Sequence, residues 1–95
     1  MDQSIKHKEN ETNGIFYLEL ENKIVSELTY VKKEPNILII DRTETKKAEE
    51  GKGLASKLVE YIVMYAKENN YKIDPLCPFA EVKFDENEAY QKIRA

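Results

Sequence analysis

Glu50-Gly51-Lys52-Gly53-Leu54-Ala55 follows the most apolar run of the chain, Ile37-Leu38-Ile39-Ile40, and opens a stretch where Leu54, Leu58, Tyr61, Ile62 and Tyr65 recur at i, i+4, i+7, i+8 and i+11. The apolar run reads as a strand buried on both faces. The stretch after the glycines has the period of one helical stripe and predicts a helix continuing to about residue 68, packed on a sheet, with Tyr61 and Tyr65 as core residues whose hydroxyls reach the rim. Asn69-Asn70 is a helix stop, and Tyr71-Lys72-Ile73 makes a short strand that Pro75 halts. Strand, crossover helix and strand in this order form a parallel, right-handed unit.

Working outward, Ile15 to Leu20 alternates with β-branched and aromatic residues and predicts a strand, with residues 4 to 9 as a weak edge beside it. Asn13-Gly14 is a dipeptide that tolerates positive φ and signals a hairpin turn. Glu21-Asn22 breaks the run, and Ile24, Val25, Leu28, Tyr30 and Val31 suit a second, antiparallel strand. The next turn falls at Lys33 to Asn36, where Pro35 biases Glu34 to extended geometry. Beyond Pro75, Phe79, Val82, Lys83 and Phe84 start a helix, and Glu86 to Ile93 forms another short one. The fold class is therefore α/β (α+β): an N-terminal antiparallel meander, a crossover helix, a short parallel strand and a C-terminal helical segment.

Composition narrows the function. The 95 residues suffice for a single core, so residues 1–95 are expected to form one domain with a polar segment at 1–13. Hydrophobic residues at 41% and charged residues at 35% exclude a disordered chain. No apolar run approaches the roughly 20 residues that cross a bilayer, so no membrane role is expected. The net charge of -3 and pI near 5.2 argue against nucleic-acid binding, which needs a field of Lys and Arg. Cys77 is the lone cysteine and cannot close an internal disulfide, which fits a reducing cytoplasm. His7 lies in a polar segment without Cys, Asp or Glu at ligand spacing, so it is read as exposed and no metal site is expected.

The glycine segment carries the chemistry. Free amides at a helix start bind anions. Gly51 and Gly53 lack the Cβ atoms that would obstruct an approaching ligand, and Ala55 is small enough to sit beneath a phosphate. Lys52 and Lys57 add positive charge nearby, while Lys46, Lys47, Glu49 and Glu50 form a mixed-charge loop whose plain reading is a solvated surface. The spacing does not match G-x-x-x-x-G-K-[ST], and Glu50 is badly placed for a dinucleotide fingerprint. Glycines before a helix are more often only loop geometry.

Taken with its flanks, the segment resembles the [QR]-x-x-G-x-[GA] signature of the GNAT-superfamily N-acetyltransferases, with Gly53 and Ala55 in the two small positions. The chain is more similar still to the minimal, single-domain branch of that superfamily, through Asp41-Arg42-Thr43, Gly51-Lys52-Gly53, Cys77-Pro78-Phe79 and the ending Asn87-Glu88-Ala89-Tyr90. The resemblance covers nearly all of residues 15 to 93. It implies acetyl-CoA as cosubstrate, its pyrophosphate held by loop amides and its pantetheine arm lying along the strand from Ile37 to Thr43. The binding residues implied are Thr43, Glu44, Thr45, Glu50, Gly51, Lys52, Gly53, Leu54, Ala55, Ser56, Lys57 and Cys77. Cys77 is open to three roles, nucleophile, proton donor or pocket wall, and a lone cysteine is most often a small buried hydrophobe. Tyr90 resembles the tyrosine that protonates the departing thiolate, although core packing is its plainer role. Glu50 departs from the first position of the signature, and Arg42 stands where the branch commonly has histidine, which leaves that histidine's proton transfer without an heir.

The function implied is transfer of an acetyl group from this coenzyme A thioester to an amine, on a small molecule or a protein, by a monomer or homodimer. The alternatives are a non-catalytic module that senses or sequesters acyl-coenzyme A, and an interaction domain whose glycines merely shape a loop. Short connections between the first strands predict a shallow acceptor side.

Overall fold

The computed structural model describes residues 4–95. Five strands lie in chain order in one sheet: β1 (Ile5–Glu9), β2 (Asn13–Leu20), β3 (Lys23–Lys33), β4 (Ile37–Thr45) and β5 (Lys72–Pro75). The first four are antiparallel neighbours, and β5 runs parallel to β4. Helix α1 (Leu54–Glu68) makes the crossover between β4 and β5, and helix α2 (Pro78–Asp85) and a 3-10 segment (Glu88–Ile93) follow. The meander, crossover and weak edge strand are as the sequence predicts.

Turn chemistry explains the connections. Glu21 and Asn22 have φ of 52° and 65°, the left-handed pair a two-residue hairpin needs, and they join Leu20 to its partner Lys23. Asn13-Gly14, expected to turn, instead begins β2. The turn lies just before it, where the Asn10 side-chain oxygen accepts from the amides of Thr12 and Asn13. Gly14 is needed for a different reason: a Cβ there would sit 2.1 Å from the ring of Tyr30, its cross-strand neighbour.

The core lies on one face of the sheet. Phe16, Leu18, Leu28, Tyr30, Leu38, Ile40 and Ile73 cluster with Leu54, Leu58, Val59, Ile62, Val63 and Ala66 of α1 and with Ala80 and Phe84 of α2. Both helices join this cluster, so Leu38 and Ile40 are fully buried while Ile37 and Ile39, on the other face, are only half-buried. That corrects the expectation of a strand buried on both sides. Tyr61 is corrected likewise: the buried arc of α1 centres on Ile62 and Ala66, which leaves Tyr61 at its margin and 42% exposed. Tyr65 does pack against the core with its hydroxyl at the rim.

Candidate active site

A groove opens where β4 parts from β5. Their pairing covers only Ile37 to Ile40 against Lys72 to Pro75, after which the Cys77 amide donates to the Ile40 carbonyl at 3.0 Å and the chain turns into α2. Among the described residues, β4 has β3 on one side and no strand on the other from Asp41 onward. A bulge occurs at the same place, because Tyr30 pairs with Ile40 while Thr29 pairs with Arg42, leaving Asp41 over. The Thr29 hydroxyl holds that extra residue by donating to the Asp41 carboxylate at 2.7 Å. The extra residue shifts the alternation, so Thr43 and Thr45 lie opposite Leu28 and Ser26 on the core face. Arg42 and Glu44 turn to the other face, where Arg42 forms ion pairs with Glu27 and Glu44.

The segment after β4 prepares the start of α1. A 3-10 turn at Lys47–Glu49 is followed by Glu50 in extended geometry and by Gly51 and Gly53 at φ of 85° and 75°. Only glycine adopts such angles without steric cost, and both glycines face open space. Gly53 is the N-cap and carries no side chain to cap with; its carbonyl receives the first helical bond, from the Lys57 amide at 3.1 Å. Among the described residues, no side chain or carbonyl accepts from the amides of Gly53, Leu54, Ala55 and Ser56. The positive end of a 15-residue helix thus carries four orphan donors, an arrangement that favours negative charge.

These amides open into a groove of about 440 Å³ lined by Thr43, Glu44, Thr45, Glu49, Glu50, Gly51, Gly53, Leu54, Ala55, Ser56 and Phe79. Nine of the residues expected to bind are therefore brought together. Lys52 is not among the lining residues and forms an ion pair with Glu49 at 2.8 Å. Lys57 lies one position past the lining residue Ser56, on the first turn of α1. Sequence reasoning left Glu49 and Phe79 out of the site. Phe79 stood in the Cys77-Pro78-Phe79 motif, which was a usable signal; Glu49 had none beyond its place in a charged loop.

Cys77 lies behind the groove wall rather than in it. It is 7% exposed, caps α2 by accepting from the Ala80 amide at 3.4 Å, and meets the Thr43 hydroxyl at 3.8 Å. Tyr90 lies elsewhere, against Phe84 and beside a hollow of about 230 Å³ that shares only Ser56 with the groove. Burial raises its phenol pKa above the ordinary value, and the Glu60 carboxylate adds to the shift.

Beside the last turns of α1, polar side chains form a hydrogen-bonded network. His7, expected to be exposed, stacks on Phe16 with centroids 4.0 Å apart and packs edge-on against Tyr65. Its Nε2 lies 2.6 Å from the Tyr30 hydroxyl, which donates to Glu9 at 3.1 Å. With the Tyr30 proton on Glu9, His7 donates through Nε2. Tyr65 and Lys32 also reach Glu9, at 2.9 Å each. Burial lowers the His7 pKa and, with Glu9 adding, raises those of Tyr30 and Tyr65, the latter to about 12. Burial alone would raise the Glu9 pKa, but hydrogen bonds from Lys32, Tyr65 and Tyr30 hold it below the usual carboxylate value. The described residues include no group of three His, Cys, Asp or Glu arranged to hold a metal ion, and no helix long and apolar enough to cross a membrane.

Residues 15–93 match the family model described as GCN5-related N-acetyl-transferase. Among solved structures, a GCN5-like protein from Staphylococcus aureus is 32% identical, with 95% of this chain and 87% of that chain covered at a TM-score of 0.73. Ribosomal-protein-alanine N-acetyltransferase from Brucella melitensis biovar Abortus is 16% identical, with 90% of this chain and 64% of that chain covered at 0.61. A GNAT family acetyltransferase from Elizabethkingia anophelis with acetyl-CoA bound is 13% identical, with 79% and 52% covered at 0.61. These two share the fold, and the chain spans between half and two thirds of their length. No curated protein matches the chain. The chain belongs to the GCN5-related N-acetyltransferase family.

Proposed function

We propose that this chain transfers an acetyl group from acetyl-CoA to an amine. The observation that carries the reading is the set of uncapped amides from Gly53 to Ser56, opening into a groove that continues along the unpaired edge of β4. The amides receive the diphosphate, and the free edge from Asp41 to Thr45 offers backbone groups to the pantetheine arm as it would to another strand. The similar protein from Elizabethkingia anophelis has acetyl-CoA bound, which supports the assignment of the cosubstrate.

The reaction needs little covalent help from the protein. The lone pair of a neutral amine forms a bond to the thioester carbonyl carbon, the carbon–sulfur bond breaks, and coenzyme A leaves as a thiolate that takes up the proton lost by the amine. A strand amide polarises the carbonyl, so positioning and oxyanion stabilisation supply the acceleration. A second route, in which the Cys77 thiol takes the acetyl group as coenzyme A leaves and then yields it to the amine, requires the sulfur to come out from behind the groove wall. Tyr90 does not line the groove, so it reaches the thiolate only if its side chain swings past Ser56. The connections between β1, β2, β3 and β4 are short, which suits a shallow acceptor side and an exposed amine, or a second copy of the chain completing the pocket. The Gly-x-Gly and Cys-x-Phe stretches favour the minimal branch of the family, and the buried free thiol suits the cytoplasm.

Arg42 favours a second reading, a module that binds coenzyme A thioesters without turnover, because its ion-paired guanidinium cannot accept a proton. One experiment separates the two. Acetyl-CoA at about 100 times its dissociation constant should stabilise the protein by about 2.7 kcal/mol. Release of free thiol in the presence of amines then marks an enzyme, stabilisation without release marks a binding module, and no stabilisation rejects both. Mass spectrometry of the incubated protein reads an acetyl group on Cys77.

A further inference from the structure

We propose that the sheet face turned away from the helices is the interface of a homodimer, two copies packing face to face with the β1 rim of one over the β4 rim of the other. This face lies across the sheet from the groove, so its role does not depend on the coenzyme A reading.

An antiparallel sheet with one face in water ordinarily turns polar side chains to that face. Here Phe16, Leu18, Leu28, Tyr30, Leu38 and Ile40 point to the core, so alternation turns Ile15, Tyr17, Val31, Ile37 and Ile39 to the opposite face. Val31 pairs with Ile39, and Ile37 follows on the same face of β4, which makes a continuous apolar strip rather than scattered positions. Among the described residues nothing covers it: α1, α2 and the closing 3-10 segment all join the cluster on the other face, and short turns connect β1 to β4. The run Ile37-Leu38-Ile39-Ile40 has the composition of a strand buried on both faces, yet the single chain fully buries only Leu38 and Ile40. A second copy supplies the missing cover.

Charge at the rims selects that occupant. On the open face the β1 rim carries exposed Lys6 and Lys8; Glu19 pairs with Lys6, and Lys8 lies over the Tyr17 ring at 5.7 Å. Toward β4 the same face carries Glu27, Asp41 and Glu44, with Arg42 as the opposing charge among them. A two-fold axis parallel to the strands reverses their order across the interface, so each cationic rim meets the acidic rim of the other copy. The register matches the charges row by row: the row of Lys8, Ile15 and Thr29 ends at the Asp41 bulge, and the row of Lys6, Tyr17 and Glu27 ends at Glu44. Four strands give a face of about 19 Å by about 26 Å, on the order of 500 Å² before side-chain relief, near the lower end of specific interfaces at roughly 600 Å² per partner. The dimer is therefore expected to be weak.

Sedimentation equilibrium of the full chain tests this. From about 1 μM to about 1 mM, wild type is expected to pass from monomer to dimer with a Kd in the micromolar range. Val31→Lys and Ile15→Lys each place a charge within the strip and should weaken the dimer by about 30-fold or more. Both positions are half-buried in the single chain, and urea unfolding of the same samples shows that each variant is folded. Lys8→Glu should weaken the dimer by about 3-fold, and by less in added salt. Met64→Lys, on the solvent side of α1 and 53% exposed, should leave it intact. Wild type that stays monomeric throughout overturns the inference, whether the face then takes another protein or stays bare. A dimer that survives both Val31→Lys and Ile15→Lys, or that Met64→Lys breaks instead, overturns it as well, and one that Lys8→Glu leaves unchanged at low salt overturns the placement of the rims.

Discussion

The two ends of α1 handle polar groups in opposite ways. At its start, the amides of Gly53 to Ser56 have no protein acceptor and face a groove. Beside its last turns, Tyr65 joins His7, Tyr30, Glu9 and Lys32 in a network of hydrogen bonds and an ion pair. Burying an unpaired polar group costs about 1–3 kcal/mol, so a fold leaves donors unpaired only where water or a ligand reaches them. On the proposed reading one end of the helix serves stability and the other a ligand, and substitutions at the two ends should separate these properties.

The largest effect is expected at the saturated end. Gly14→Ala drives a methyl group into the Tyr30 ring, where 2.1 Å is available, and should cost about 3 kcal/mol of stability, the upper end of the overpacking range. Urea unfolding measures the loss, and coenzyme A affinity of the folded fraction should be unchanged. Gly53→Ala differs: a left-handed alanine costs about 1–2 kcal/mol of stability, and coenzyme A affinity should fall as well, by about 10-fold, as the amides shift. If binding and stability fall together in both variants, the division between the two ends is wrong.

The pH response sharpens the same contrast. Burial lowers the His7 pKa in the folded state, so the unfolded chain takes up that proton first as pH falls below the ordinary value of 6.5. Stability from His7 is thus complete above that value and declines toward the lowered folded-state value. Glu9 acts in a separate window, since its depressed pKa contributes stability that is lost only below its ordinary value of 4.5. Melting curves should decline in two steps, and His7→Gln should remove the upper one. A melting profile that is flat through the upper window in wild type would contradict the half-buried, neutral histidine.

The smallest effect is expected at Glu50, which lines the groove with Glu49 and whose carboxylate would repel a diphosphate. Glu50→Gln should strengthen coenzyme A binding by about 2- to 3-fold, the size of an exposed charge interaction, and added salt should shrink the difference. Equal affinities at low salt would remove Glu50 from the site.

Much of this was legible in local pattern. The change from the apolar run at Ile37 to the helical stripe at Leu54, with Gly51 and Gly53 between, gave the crossover unit and most of the groove, because period and turn chemistry act over a few residues. Apart from Tyr61, at the margin of the buried arc of α1, the misreadings involve contacts distant in sequence. Gly14 answers to Tyr30 rather than to a turn, His7 is covered by Phe16 and Tyr65, and Ile39 is half-buried because both helices pack on the opposite face. The bulge at Asp41, which turns Thr43 toward the groove and Arg42 away, is a property of register with β3 and left no mark on its own residues.

The central claim concerns four amides, and they can be observed individually. In nitrogen–proton correlation spectra of the labelled protein titrated with coenzyme A, the resonances of Gly53, Leu54, Ala55 and Ser56 should show the largest shifts, moving downfield as they donate to the diphosphate. Resonances of His7 and Tyr30 should stay in place. Unmoved signals from Gly53 to Ser56 at saturating coenzyme A, or shifts centred at the His7 end, would contradict the account.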